Sequence, residues 1–175
     1  DSVCNGFDYP IHNHPEYELN LVAGMSGTRI VGDSTERYTD YDLVLLGPYL
    51  YHKWDGDAHL QQSGQPYRVV TIQFAMDLFS GQLFQKERFI QIRQLLRDSI
   101  RGIKFQGKTV EAAMRIMIEL TEDKGFVNVV EFLQLLDLLS KSTDVTYLAS
   151  EGFSPQALRS DSNRIQVAYG YILKH

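Results

Sequence analysis

The chemistry this sequence offers is concentrated in three histidines and one carboxylate. His12, His14 and Glu18 stand at i, i+2 and i+6. An extended chain alternates faces at every residue, so all three point to one side if the segment is a strand. His52 lies four residues after Pro48, just beyond the apolar run 42–46. From there a neighbouring strand can bring a third imidazole against the first two. His12, His14, Glu18 and His52 together suit a divalent Zn, Fe, Mn, Ni or Cu ion. The same side chains can also line a pocket without metal, the carboxylate deciding which ring nitrogen carries the proton.

Aromatic residues flank these positions. Tyr17, Tyr49, Tyr51 and Trp54 combine an apolar face with a polar tip, which suits a sugar or another amphipathic small molecule, although ordinary packing uses the same residues. Arg29 and Gln73 interrupt apolar runs, where a polar group must reach solvent or find a partner. Solvation facing outward is the expected outcome for both, with contact to a bound ligand the alternative. Nucleophilic catalysis finds little support, since Cys4 is near the terminus and neither Gly-x-Ser-x-Gly nor His-Glu-x-x-His occurs. His59 and His175 read as solvated.

The elements that must position these residues change character along the chain. Runs 18–23, 28–31, 42–46 and 68–74 are β-rich and separated by Gly, Asp, Ser and Pro, which predicts an all-β first unit. From about Phe84 the period becomes helical. Phe89, Ile92, Leu96 and Ile103 define a first helix with Gly102 as a stop. Val110, Ala113, Met114, Met117 and Ile118 define a second, with Thr109 as N-cap and Gly125 at its end. Asn128 and Glu131 resemble a capping box for a third, whose stripe over 132–139 is too broad for a solvated helix. Residues 140–163, rich in Ser and Asp, read as a connection. Ile165, Ala168, Tyr169 and Ile172 then begin another helical face that nothing downstream covers, as expected of a chain that continues.

Composition bounds the function. Seventeen basic and twenty-two acidic residues in 175 give a net charge of -5, which argues against a chain that grips phosphate backbones by itself. No apolar stretch approaches the roughly 18 residues of a membrane span, and no signal peptide is visible. The single cysteine forbids an intrachain disulfide and points to the reducing cytoplasm.

Gly6, His12, His14, Glu18 and Gly24 resemble the first cupin motif, and Gly47, Pro48 and His52 resemble part of the second, with Gly56 where an Asn is usual. A narrower likeness covers nearly the whole chain. HNHPEYEL, GTRIVGD, DLVLLGPYLYHKW, TIQF and RGIKF, in that order, resemble the sensor domain of AraC-type transcription regulators. The resemblance implies a mainly β, α+β fold, with a cupin-like double-stranded β-helix barrel over 1–82 and a helical dimerisation region over 83–142. A linker over 143–163 and the opening helix of a helix-turn-helix domain over 164–175 would follow. It implies a homodimer that binds a small-molecule effector, a carbohydrate being one candidate. His12, His14, Tyr17, Glu18, Arg29, Tyr49, His52, Trp54 and Gln73 are the candidate ligand contacts, and no cofactor is required. DNA would be contacted only through recognition helices that these residues do not include. The rival reading is a metal-dependent cupin oxygenase or isomerase built on His12, His14, Glu18 and His52.

Overall fold

The computed structural model describes residues 9–64 and 66–153. Cys4, Gly6 and the helix expected over 164–175 lie outside the described residues.

The chain runs β1 (Tyr17–Ala23), β2 (Gly27–Val31), β3 (Ser34–Tyr38), β4 (Tyr41–Leu46), β5 (His52–Gly56), a short α1 (Ala58–Gln62) and β6 (Arg68–Phe74). It continues through α2 (Ile90–Asp98), β7 (Ile103–Phe105), α3 (Gly107–Glu119), α4 (Phe126–Ser140) and β8 (Val145–Tyr147). The strands form two antiparallel sheets, a larger one ordered β6-β1-β4-β7-β8 and a smaller one ordered β3-β2-β5. The expected α+β class is therefore present. A closed barrel is not found: among the described residues no ladder joins the sheets.

Alternation along the strands of the larger sheet builds three layers. Leu19 and Leu21 of β1, Leu43 and Leu45 of β4, and Ile103 and Phe105 of β7 face the helices, meeting Ile92, Leu95, Val110, Met117, Leu135 and Leu139 in one core. The alternate residues face the smaller sheet, where Val22, Val44 and Leu46 meet Val31, Tyr38 and Trp54 in a second core. Each leucine so buried contributes about 1.5–3 kcal/mol by removing apolar surface from water. Among the described residues no helix is long and apolar enough to cross a membrane.

Several local expectations are corrected. Ile103 belongs to a strand, because Gly102 (φ 66°) turns the chain out of the 3-10 turn Ser99–Arg101 and the alternation Ile103, Lys104, Phe105 then pairs with β4. The described part of the expected linker contains β8, which pairs with β7. The smaller sheet's β3 and most of β5 carry too few apolar residues to stand out by composition. Thr109 lies inside α3, which begins two residues earlier after Gln106. Asn128 lies inside α4 and ties down the preceding loop, its Oδ1 accepting from Lys124 N at 2.9 Å and its Nδ2 donating to Glu122 O at 2.7 Å. Leu135, Leu136 and Leu139 are taken up by the core, whereas the exposed apolar surface of α4 lies N-terminal to them at Phe126, Val127, Val129 and Val130.

Candidate functional site

Strand β1 places Glu18 and Asn20 on the face that looks toward the smaller sheet. Pairing sets Glu18 opposite Leu46 of β4 and Gln73 of β6, and Asn20 opposite Val44 and Thr71. Residue 52 opens β5 in the smaller sheet, paired with Val31 of β2. An isolated bridge then brings in the segment before β1: His12 N donates to His52 O at 3.2 Å and His52 N to His12 O at 2.9 Å. His14 O accepts from Tyr49 N at 2.7 Å. Backbone pairing alone therefore assembles the three imidazoles.

One ring nitrogen from each of His12, His14 and His52 lies within 4.8 Å of the other two. The ring centroids are 4.3 Å apart for His12 and His52, 5.2 Å for His14 and His52, and 5.9 Å for His12 and His14. Two of the rings are oriented from behind by carbonyls. His12 Nδ1 donates to Pro10 O at 3.0 Å and His52 Nδ1 to Leu50 O at 2.8 Å, which leaves each Nε2 with a lone pair. His52 Nε2 is buried without a hydrogen bond, 3.6 Å from Glu18 Oε1. A buried acceptor that the fold orients and then leaves unpaired is the feature expected of a ligand-binding imidazole.

Glu18 is the electrostatic centre. Its Oε2 accepts from His14 Nε2 at 3.0 Å and from Gln73 Nε2 at 2.9 Å. Burial pushes the Glu18 carboxyl up, but the His14 hydrogen bond, the nearby His52 and the Gln73 amide outweigh it and hold it below the usual carboxylate range. The bond to Glu18 raises His14 above its ordinary value against the opposing effect of burial. His52 goes the other way: burial strips its charged form of water and lowers it to about 4, so this ring is neutral at neutral pH. Thr71 and Gln73 are exposed whereas their partners Asn20 and Glu18 are buried, so the site opens over β6, the edge of the larger sheet.

Of the other expected residues, Trp54 is at the site, its ring edge-on to His52 with centroids 6.0 Å apart. Gln73 reaches the carboxylate, as above, instead of only facing water. Arg29 is not solvated. It is buried between the sheets, where one guanidinium nitrogen donates to Asp42 and the other to Glu36 at 2.7 Å. Tyr17 is on the opposite face of β1, stacked on Phe74 at 5.1 Å beside the helices. Tyr51 packs with Ile11 and Ile30 on the far side of the smaller sheet. Tyr49 adopts a left-handed backbone (φ 61°) at the corner where its N–H meets His14.

Sequence reasoning missed Asp42. It is fully buried, and its Oδ2 accepts from Trp54 Nε1 at 2.7 Å while its Oδ1 accepts from Arg29. Asp42 thus joins the larger sheet to strands β2 and β5 of the smaller one and braces the indole beside His52. Its signal was available: an acidic residue opening an apolar strand, on the face that Val44 and Leu46 share.

The arrangement fits a divalent metal in donor chemistry, with three imidazole nitrogens gathered and a carboxylate beside them. It fits equally the recognition of a polar small molecule by imidazoles, a carboxylate and an amide against an indole. No family model matches this sequence, and no curated protein matches it.

Proposed function

We propose that this chain is the effector-sensing and dimerisation part of an AraC-type transcription regulator, with a small molecule bound at the mouth between the two sheets. The observation that carries the reading is the buried, unpaired Nε2 of His52 at the meeting point of His12, His14 and Glu18. The rolled chain path supports it, since β1, β4 and β6 enter one sheet and β2, β3 and β5 the other, as in a cupin-like double-stranded β-helix. Imidazoles beside a carboxylate and an indole suit a polyhydroxylated ligand such as a carbohydrate. A bound effector acts as a switch only if it binds two arrangements of the protein with different affinity. Contact with DNA falls to a separate DNA-binding domain of such a regulator.

A thermal-shift screen of sugars and divalent metals tests the assignment. At least one compound is expected to raise the melting temperature of the wild type, with the shift lost in His52→Ala and Trp54→Ala. A wild type that no compound stabilises would remove the sensing role.

The three-histidine cluster also supports a second reading, a metal-dependent cupin enzyme in which His12, His14, His52 and Glu18 hold Zn, Fe, Mn or Ni. Turnover of an organic substrate by metal-loaded protein separates it from the first.

Dimerisation is assigned to the N-terminal half of α4, where Phe126, Val129 and Val130 stand at i, i+3 and i+4 and are exposed. Sedimentation at micromolar concentration is expected to show a dimer that Val130→Glu converts to a monomer. A wild type that is monomeric at that concentration rules out this interface.

A further inference from the structure

The segment that follows β8 is docked against the back of the histidine site. Leu148 N donates to Gly102 O at 2.9 Å, Ala149 N to Arg101 O at 2.8 Å, and Arg101 Nε returns a bond to Ala149 O at 3.0 Å. Ser150 N then donates to Asp33 Oδ1 at 3.0 Å, on the turn between β2 and β3. Gly32 of that turn (φ 59°) leaves the space that Ala149 and Phe153 fill: a Cβ there would sit 2.9 Å from Ala149 Cβ and 3.1 Å from the Phe153 ring. Leu148 and Phe153 pack in the same core as Val31, Leu50 and Trp54.

The seat of this segment and the ligand site share residues. Gly32 N donates to Tyr51 O at 2.8 Å, next to His52. Leu50 holds His52 Nδ1 through its carbonyl while its side chain approaches Gly102, the residue that pairs with Leu148. The docked segment is buried at Leu148 and Ala149, but its hydrogen bond to the turn, between Ser150 and Asp33, is exposed. Such an end opens locally at far lower cost than the core.

We propose that the 148–153 segment is a latch on the β2–β3 turn and that occupancy of the His12/His14/His52 site tightens it. The proposal rests on the sensing role assigned above and names its output. A ligand that restrains the His52 ring restrains 50–52, which form one wall of the seat, and a docked latch preorganises the same three residues for the ligand. The segment leads directly into 154–175, so its docking sets the direction in which the chain leaves the sensor. Because coupling between sites is reciprocal, the factor by which the ligand favours docking bounds the factor by which docking favours the ligand.

Zinc ion serves as the probe, with amide hydrogen exchange at 148–150 in the 1–175 chain as readout. Saturating zinc is expected to slow exchange of the Ser150 amide about fivefold. Asp33→Ala is expected to speed it and to weaken zinc binding by up to the same factor, whereas Asp33→Asn, which keeps a carbonyl acceptor, restores both. Zinc that binds the wild type without altering exchange at Ser150, and binds Asp33→Ala equally well, overturns the latch and leaves the site intact. A wild type that binds no zinc removes the metal reading of the three-histidine centre, and the latch proposal falls with it, while the small-molecule reading is decided by the thermal-shift screen.

Discussion

Replacing Asp42 with alanine is expected to lower the unfolding free energy by about 3–5 kcal/mol, the cost of leaving a buried charge without its partner. Arg29 and Asp42 are both shielded from water between the sheets. The remaining partner of Arg29, Glu36, is 40% exposed and cannot replace a carboxylate in the interior. The same substitution strips the Trp54 indole N–H of its acceptor, which adds the desolvation cost of an unmade hydrogen bond. Glu36→Ala, by contrast, removes a carboxylate that water can replace and should cost about 1 kcal/mol or less. Urea unfolding of the two variants separates the effects, since a change in midpoint at constant slope reports stability alone. Equal losses in both would mean that the charge between the sheets is not compensated by Asp42. Because Trp54 lies against His52, Asp42→Ala should also loosen the site.

The second large effect is on metal binding. His52→Ala is expected to weaken zinc binding by more than about 100-fold, since deleting one imidazole removes a ligand outright and even the groups that merely orient ligands are worth about 10- to 100-fold. The pH profile follows from the neighbouring groups. His52 is neutral down to about pH 4, so above that it binds an ion without first losing a proton. His14 is raised above its ordinary value by the Glu18 hydrogen bond, so a proton competes with the metal there. Zinc affinity should therefore fall as pH is lowered through and below the raised titration of His14, with proton release from His14 rising toward one per ion below it. Glu18→Gln keeps an oxygen acceptor but removes the negative charge that helps to raise His14, and should move this fall to lower pH. Isothermal titration in two buffers of different ionisation enthalpy measures both the affinity and the proton count. An unchanged affinity in His52→Ala and in His52→Gln would place the ion elsewhere on the chain.

The site's membership was readable because its signals are local. His12, His14, Glu18 and His52 stand out by residue type and close spacing. The extended segment expected for the first three is not what joins them, since the chain bends at Pro15 and Glu16 before β1 and the bridge of His12 to His52 brings the rings together. What alternation could not supply was the sign of each face. Tyr17 is adjacent to Glu18 and for that reason points to the helices, away from the ligand site. Tyr51 and His52 separate in the same way. Arg29 interrupts an apolar run and is expected to face solvent, but it shares the face of Val31, which packs between the sheets, and so meets Asp42. Strands β7 and β8 have three residues each, too few to establish a period; β7 adds to the edge of β4, and β8 to the edge of β7.

The sequence by itself determined the switch from strand to helix, the apolar faces of β1, β4, α3 and α4, and the identity of the histidines and carboxylate, because each depends on neighbours a few residues apart along the chain. Only the tertiary structure decided that the two sheets stack, among the described residues, without a joining ladder, that Arg29 and Asp42 meet between them, and that the 148–153 segment rests against the turn beside His52. Those features depend on contacts between residues 13 to 117 positions apart. Contacts of that range are set by how whole layers bury their apolar faces and pair their buried polar groups, and no spacing in the sequence encodes them.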